Sequence, residues 1–307
     1  MRSKISFWAA VSRAPFFTGS VLPVGLGAAA AWYQSGQFHF GLFALTLVGA
    51  VLIHAGANIT NDYYDHLSGA DDINSNYCTP FFGGSRMIQQ GLMTPRATLI
   101  AGLACLGAAA AIGIILTWLR GWPVLALGVI GILSGFFYTA PPFKLGYRGW
   151  GELAIALDFG VLMVAGAQYV QAQEITAVGL AASAPIALLI MQILYVNQFP
   201  DAPADAQAGK RHLVVRMGPA RARFGVPAIF VVTYASIIAA VAYALAPAWC
   251  LLGLLSAPLA VGASAVILQY HGQPKRLVPT SAMTIGAHAL TGILLILGYV
   301  LGAAAPH

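Results

Sequence analysis

Charge is scarce in this chain: its 307 residues include 15 Lys and Arg and 9 Asp and Glu, 8% of the total, about a third of what a soluble domain of this length carries. An ordinary soluble fold is thereby excluded. Cysteine is scarce too. Cys78, Cys105 and Cys250 have no paired spacing and two of them sit in apolar runs, which excludes a disulfide framework and a zinc site. Alternating hydrophobicity is missing, so strands are excluded. No polar linker or low-complexity stretch is long enough to separate one unit from another, and residues 1–307 read as a single transmembrane domain.

What the chain has is hydrophobicity: 59% of residues are hydrophobic and the mean hydropathy is +0.79. Apolar runs recur to the last line of the sequence, and in lipid each must satisfy its own backbone as a helix. Breaks at polar, Pro-rich or Gly-rich clusters predict nine spans, at 15–34, 41–60, 97–118, 122–139, 151–171, 179–199, 225–246, 249–270 and 284–303. Arg2, Lys4 and Arg13 ahead of the first run give it the look of a signal peptide. It reads on through Pro23 to Trp32 and Tyr33 without a cleavage site, so it is expected to be a retained span.

The basic residues fall on one side of this scheme. Arg2, Lys4, Arg13, Arg86, Arg96, Lys144, Arg148, the five from Lys210 to Arg223, Lys275 and Arg276 lie in loops on the N-terminal side, against Arg120 alone on the other. This asymmetry places the N-terminus in the cytoplasm. It also accounts for the net charge of +6 and the pI near 9.3 without a nucleic-acid partner. The expected setting is an integral membrane protein of a bacterial cytoplasmic membrane, with its functional face on the cytoplasmic side.

Six of the nine acidic residues gather in two segments on that same face: Asp62, Asp65, Asp71 and Asp72 after the second span, and Asp201 and Asp205 after the sixth. Each segment has an amide four residues before a carboxylate, Asn61 before Asp65 and Asn197 before Asp201, a spacing that shares a helix face. Solvated charge explains one such loop, but not a repeat of the same spacing at matching depth, which fits a pseudo-symmetric bundle with a site between its halves. Oxygen-only ligands suit a hard cation, and Mg²⁺ is commonly held by a few carboxylates together with water and phosphate oxygens. Arg86, Lys144, Arg148, Lys210, Arg211 and Arg216 lie nearby, so a diphosphate is the substrate group that suits both the metal and the cations.

Three segments carry a family likeness: Asn-Asp-Tyr-Tyr-Asp (61–65) with Asp71, Tyr-Thr-Ala-Pro-Pro-Phe-Lys-Leu-Gly-Tyr-Arg-Gly (138–149), and Asn-Gln-Phe-Pro-Asp (197–201) with Asp205 and Ala-Gly-Lys-Arg-His-Leu-Val-Val-Arg-Met-Gly (208–218). They resemble the UbiA superfamily of intramembrane prenyltransferases. Within it, the Tyr138 to Gly149 segment and the Gly-Lys-Arg run resemble the branch that prenylates 1,4-dihydroxy-2-naphthoate in menaquinone synthesis. The resemblance implies an all-α bundle of nine transmembrane helices around a central cavity open sideways to lipid. It implies Mg²⁺ as cofactor, held by Asn61, Asp62, Asp65, Asp71, Asn197, Asp201 and Asp205, with a polyprenyl diphosphate donor and an aromatic acid acceptor as partners. Asp65 and Asp201 are the expected catalytic residues; Arg86, Tyr138, Lys144, Arg148, Lys210 and Arg211 are expected to bind substrate. Tyr63, Tyr64, Phe81 and Phe82 are candidates for the cavity mouth.

Three features depart from the pattern. Gly69 stands where many members have the last carboxylate of the first motif, so Asp71 or Asp72 must substitute. The insert from Cys78 to Arg86 is only partly familiar, and Asp158 lies in the fifth span where this branch is expected to be apolar. A carboxylate within a span is a functional candidate, and Asp158 is expected to be catalytic, acting on the acceptor, with a structural contact to Gln168 as the alternative. His54 and His288 are expected to serve helix packing. Other readings are 4-hydroxybenzoate as acceptor, a secondary transporter, or an enzyme joining two alcohols through a cytidine nucleotide. Transporters concentrate ionisable residues near the midplane, and the paired-aspartate pattern of the nucleotide-dependent enzymes is not found.

Overall fold

The computed structural model describes residues 4–79 and 81–304; Arg2, and Pro80 within the Cys78 to Arg86 insert, lie outside the described residues. A short helix α1 (Lys4–Val11) precedes α2 (Ala14–Ser35), α3 (Phe40–Leu67) and the single turn α4 (Ala70–Ile73). Then follow α5 (Pro95–Arg120), α6 (Trp122–Phe137), α7 (Gly151–Ala172) and α8 (Ala177–Gln207). The last are α9 (Leu213–Met217), α10 (Pro219–Ala242), α11 (Ala248–Tyr270) and α12 (Pro274–Ala304).

Each of the nine predicted spans falls on one of these helices. Eight are long and apolar enough to cross a membrane; α6, with 16 residues, is the shorter ninth. At 1.5 Å per residue it reaches about 24 Å, short of the roughly 30 Å hydrocarbon core, so the predicted count of nine becomes eight long helices and one short one. This is an integral membrane protein.

The larger difference lies at two helix ends. The hydrophobic pattern stops the second and sixth spans at 60 and 199, leaving both acidic motifs in loops, yet α3 continues to Leu67 and α8 to Gln207, through Pro200 and Pro203. Apolarity ends where the membrane-facing surface ends, but a helix continues as long as its polar face has an interior to line. Asp62, Asp65 and Asp205 are buried, and the motifs are final turns of long helices rather than exposed loops.

Helix α2 runs through the middle of the bundle and packs on α3, α7, α8 and α12, while α3, α5 and α6 form one side and α8, α10, α11 and α12 the other. Leu22, Leu26, Ile186, Ile237, Leu295 and Tyr299 form a core around α2. A second core joins Leu189, Phe199, Val226, Phe230 and Ile267 between α8 and the C-terminal helices. Helix α7 is interrupted by a π-helical stretch, Ala156–Leu162, a rare form that often marks a functional site within an α-helix. Gly160 seats this stretch directly on α8, where an added Cβ would lie 2.1 Å from the Ala187 Cβ and 2.5 Å from its Cα.

Because that contact is backbone to backbone, Gly160→Ala is expected to lower the stability of the purified protein by about 1–3 kcal/mol, the usual cost of overpacking. Ala187→Gly in the same chain should recover some of the loss. Thermal unfolding in detergent checks this, and a Gly160→Ala protein as stable as wild type contradicts it.

Candidate active site

The ends of α2, α3, α7 and α8 and the loops beside them border an open cavity of about 1340 Å³, the space at its mouth included. Both acidic motifs face it. Asn61, Asp65 and Asp71 line it from one side and Asn197, Asp201 and Asp205 from the other, although 136 residues separate Asp65 from Asp201 in sequence. Asp62 is buried beside them, bound to the Arg13 side chain.

The carboxylates are held by a short chain of contacts. Arg13 Nη2 donates to Asn61 Oδ1 at 3.2 Å, and Asn61 Nδ2 donates to Asp65 Oδ2 at 3.1 Å. Tyr147 donates its hydroxyl to Asp65 Oδ1 at 2.7 Å. Lys210 Nζ stands 3.1 Å from Asp65 Oδ2 and 3.8 Å from Asp205 Oδ1, tying the two motifs together, and His212 Nε2 meets the other Asp205 oxygen at 3.1 Å. Asp201 accepts from Asn74 Nδ2 at 2.7 Å and from the Gly83 N–H at 3.3 Å. Burial opposes the charge on Lys210, but Asp205 and Asp65 raise its pKa well above the ordinary lysine value. For Asp71, burial raises the pKa well above the usual carboxylate range, and neighbouring Asp65 and Asp62 raise it further. Burial also pushes the Tyr147 phenol up, with Asp65 adding to the shift, which keeps it a donor to that carboxylate.

The segment between α4 and α5 lends residues to the cavity wall, Asn74 among them. A single bridge between Cys78 and Phe82 tightens the segment, and Phe81, Phe82, Gly83 and Gly84 line the opening. Gly84 has a φ of +76°, and an added Cβ there would lie 3.0 Å from Asp71 Oδ2 and 3.3 Å from Arg13 Nη2. The positive φ favours glycine, and an added Cβ would press the charged groups of Asp71 and Arg13 aside by a few tenths of an ångström. Arg86 is buried, donates to the main-chain carbonyl of Asp71 and stacks 4.4 Å from the Tyr77 ring centre.

The expected substrate-binding set divides. Tyr138 and Lys210 line the cavity and Arg86 braces its rim. Lys144 lies 5.3 Å from the Tyr147 ring centre, Arg148 is exposed and donates to the Pro142 carbonyl, and Arg211 is exposed; none of the three lines the cavity. They belong instead to the seam between the 138–149 and 208–218 loops, where the Arg211 N–H donates to the Tyr147 carbonyl and Arg216 donates to the Arg148 carbonyl. Asp71 faces the cavity, whereas Asp72 is exposed against His66 and Gln89. Phe81, Phe82 and Tyr138 line the mouth; Tyr63 and Tyr64 meet edge to face at 5.0 Å, as do Tyr64 and Phe136.

The amides also differ from the expected arrangement, in which both oxygens point at one spot. Asn61 Oδ1 is taken by Arg13, and Asn197 Oδ1 accepts from Ser281 at 2.8 Å. In the sequence Arg13 stands only among the basic residues that set topology, and Tyr147, Asn74 and His212 do not stand out as site residues. Asn74 lies three residues beyond Asp71, and His212 seven beyond Asp205; nothing in local spacing distinguishes them, because their roles depend on contacts across the bundle.

Chemically, the cavity presents carboxylate and amide oxygens, a lysine, an arginine and one phenol, that of Tyr138. No group of three or more His, Cys, Asp or Glu side chains forms a ready-made metal cage among the described residues. The donor set nevertheless fits a hard divalent cation that takes the rest of its shell from water and substrate oxygens. A second open cavity, about 1240 Å³ with the space at its mouth included, continues from the first between α3, α5, α6 and α7. Ala57, Gly135, Asp158 and Phe159 line both. Apart from Thr46 and Asp158 the second lining is Ala, Gly, Val, Leu, Ile, Phe and Met.

The UbiA prenyltransferase family model matches residues 20–280. The 1,4-dihydroxy-2-naphthoate octaprenyltransferase of Mycobacterium tuberculosis is 34% identical over 94% of this chain and 96% of its own. The 2-carboxy-1,4-naphthoquinone phytyltransferase of a Synechocystis species is 30% identical over 95% and 92%. Among solved structures, a UbiA homolog from Archaeoglobus fulgidus bound to GPP and Mg²⁺ superposes with a TM-score of 0.62 at 16% identity, covering 97% of this chain and 99% of the other. The apo form of a UbiA homolog from Aeropyrum pernix superposes with a TM-score of 0.68 at 15% identity, covering 91% and 97%. Both share the fold.

The geometry separates the cations by role. Lys210→Met should reduce turnover at least 10²-fold and also destabilise the protein, since it leaves Asp65 and Asp205 without their shared counter-charge. Arg148→Ala and Arg211→Ala should stay within about threefold of wild type, because exposed charges off the cavity contribute little. Steady-state rates on the three purified variants check this, and equal losses in all three contradict it.

Proposed function

Because the chain belongs to the UbiA prenyltransferase family, we propose that it transfers a polyprenyl group from a polyprenyl diphosphate to 1,4-dihydroxy-2-naphthoate, with loss of the acceptor's carboxyl group, as a single transmembrane unit. One observation carries the reading: a polar chamber lined by two acidic motifs opens into an apolar chamber buried between helices. A substrate with a multiply charged head and a long hydrocarbon tail has that division. The acceptor is argued from the relatives of M. tuberculosis, Mycobacterium leprae, Bacillus subtilis and Escherichia coli, whose names all specify 1,4-dihydroxy-2-naphthoate.

Asp65, Asp71, Asp201 and Asp205, which face the chamber, are the residues that would hold Mg²⁺; Asn61, Asp62 and Asn197 stand beside them with Arg13 and Ser281 on their oxygens and would join only by exchanging those partners. When bound, Mg²⁺ would neutralise charge that develops on the diphosphate as the allylic carbon–oxygen bond breaks. Lys210 and Arg13, now engaged with Asp65, Asp205 and Asp62, supply fixed positive charge in the same chamber and favour a departing anion. Phe16, Phe81, Phe82, Phe159 and Tyr138 line the chamber and limit water around the electron-poor allylic carbon until the aromatic ring attacks it. The tail lies in the apolar cavity. We place the reacting face toward the cytoplasm of a bacterial cell, on the strength of the basic residues at that end.

Asp65→Ala and Asp201→Ala are each expected to lose at least 10²-fold in turnover. Incubating the purified protein with Mg²⁺, a polyprenyl diphosphate and competing aromatic acids, followed by mass analysis of the lipid extract, tests the reaction. The expected product is prenylated naphthoquinol lacking the carboxyl carbon. Product that keeps that carbon, or preference for 4-hydroxybenzoate, overturns the acceptor; residual activity above a tenth in both variants overturns the role of the paired motifs.

A further inference from the structure

The neck between the two cavities contains one ionisable side chain that the diphosphate chamber does not use. Asp158 belongs to the π-helical stretch of α7, whose wider turn lies at the point where polar and apolar chambers meet. Its Oδ2 accepts from Ser134 Oγ on α6 at 2.5 Å. Its Oδ1 has no protein partner among the described residues, and no Lys, Arg or His pairs with either oxygen. Gln168, the alternative partner, is instead bonded to Gln34 and Thr176. A half-buried carboxyl at such depth in a span is costly unless it meets a polar group, and the protein supplies one hydroxyl for two oxygens.

The surroundings suit a flat ring. Ala57 and Gly135, small residues packed on one another, line the neck, while Phe159 and His54 meet edge to face at 4.5 Å on its polar side, with Phe16 on the same chamber. Ala57 stands two turns before Asp65 on α3, about 12 Å along the helix axis. A bicyclic ring at the neck therefore lies between the acidic motifs and the apolar chamber.

We propose that Asp158, oriented by Ser134, receives the proton of the acceptor's ring hydroxyl adjacent to the attacked carbon. This rests on the prenyl-transfer reading above. As that ring carbon bonds to the allylic carbon, the allylic carbon–oxygen bond breaks and its electron pair leaves on the diphosphate. The hydroxyl proton passes to Asp158 and the ring oxygen becomes a carbonyl. Carbon dioxide then departs from the same carbon, the electron pair of the broken bond flows to the carbonyl oxygen, and Asp158 returns the proton there. Donor, acceptor and products balance without an oxidant, and Asp158 ends as it began. Asp158 is a catalytic residue on this account, and Ser134 a positioning residue.

The test compares the acceptor with its methyl ether at that hydroxyl, using wild type, Asp158→Asn, Asp158→Glu and Ser134→Ala. Wild type should use the methyl ether at least 10²-fold more slowly, the span of a general-base contribution. Asp158→Asn should be as slow with the hydroxyl as with the ether, within about threefold, while its KM for the donor and its thermal stability stay close to wild type. Asp158→Glu should recover some of the discrimination, and Ser134→Ala should raise the acceptor KM more than it lowers kcat. Unchanged discrimination in Asp158→Asn overturns the proposal, as does a uniform loss for donor and acceptor with lowered stability, which would make the pair a contact between α6 and α7. Wild-type preference for 4-hydroxybenzoate overturns only the acceptor named above, since the comparison is then made with that acid and its ether. Failure of wild type on every aromatic acceptor overturns both.

Discussion

Carboxylates buried at the ends of two long helices need positive charge close at hand, and the architecture around the cavity answers that requirement. Arg13 at the start of α2 neutralises Asp62, and Lys210 in the loop after α8 bridges Asp65 and Asp205. Unpaired, these groups would resist burial by several kcal/mol each. Paired, they draw α2, α3 and α8 together at one end of the bundle, although α8 is distant in sequence from the consecutive pair α2 and α3. The same pairing leaves the site reactive rather than inert. On the proposed reaction, Arg13 and Lys210 would serve as counter-charges of a diphosphate if a divalent ion occupied the carboxylates.

The lower half of the site follows from a different constraint. Membrane helices gain little by hiding apolar side chains from lipid, so close approach depends on small residues. Where α7 meets α8 at Gly160 the backbones touch; where α3, α5, α6 and α7 face one another, they leave an apolar chamber. The short α6 forms one wall of it. Charge thus organises the mouth and packing organises the depth, and Asp158 stands where the two regimes meet.

Much of this is legible in the sequence. The spans are visible because lipid forbids charge, and the two motifs are visible because six of nine acidic residues gather on one face. What the sequence hides is how far α3 and α8 extend: a helix that lines a polar interior carries Asn61 and Asp65, or Asp201 and Asp205, on residues that look like loop. The cations are equally ambiguous. Lys144, Arg148 and Lys210 all sit in basic loops, yet only Lys210 enters the cavity, because Tyr147 and the seam between the two loops turn the others outward. Arg13 looks topogenic because topology and the pairing of buried Asp62 both put positive charge at the same end of the first span. Tyr147 and Asn74 give no local signal, since their partners Asp65 and Asp201 lie 82 and 127 residues away.

The central claim is that the two motifs act as one receptor for one diphosphate head. Equilibrium binding of a non-reactive polyprenyl thiodiphosphate in the presence of Mg²⁺, measured for wild type, Asp65→Asn, Asp201→Asn and the double variant, tests it most directly. A shared site predicts that the double variant binds about as weakly as either single one, so the two losses in binding free energy do not add. Losses that add in full would mean two independent sites and would contradict the account.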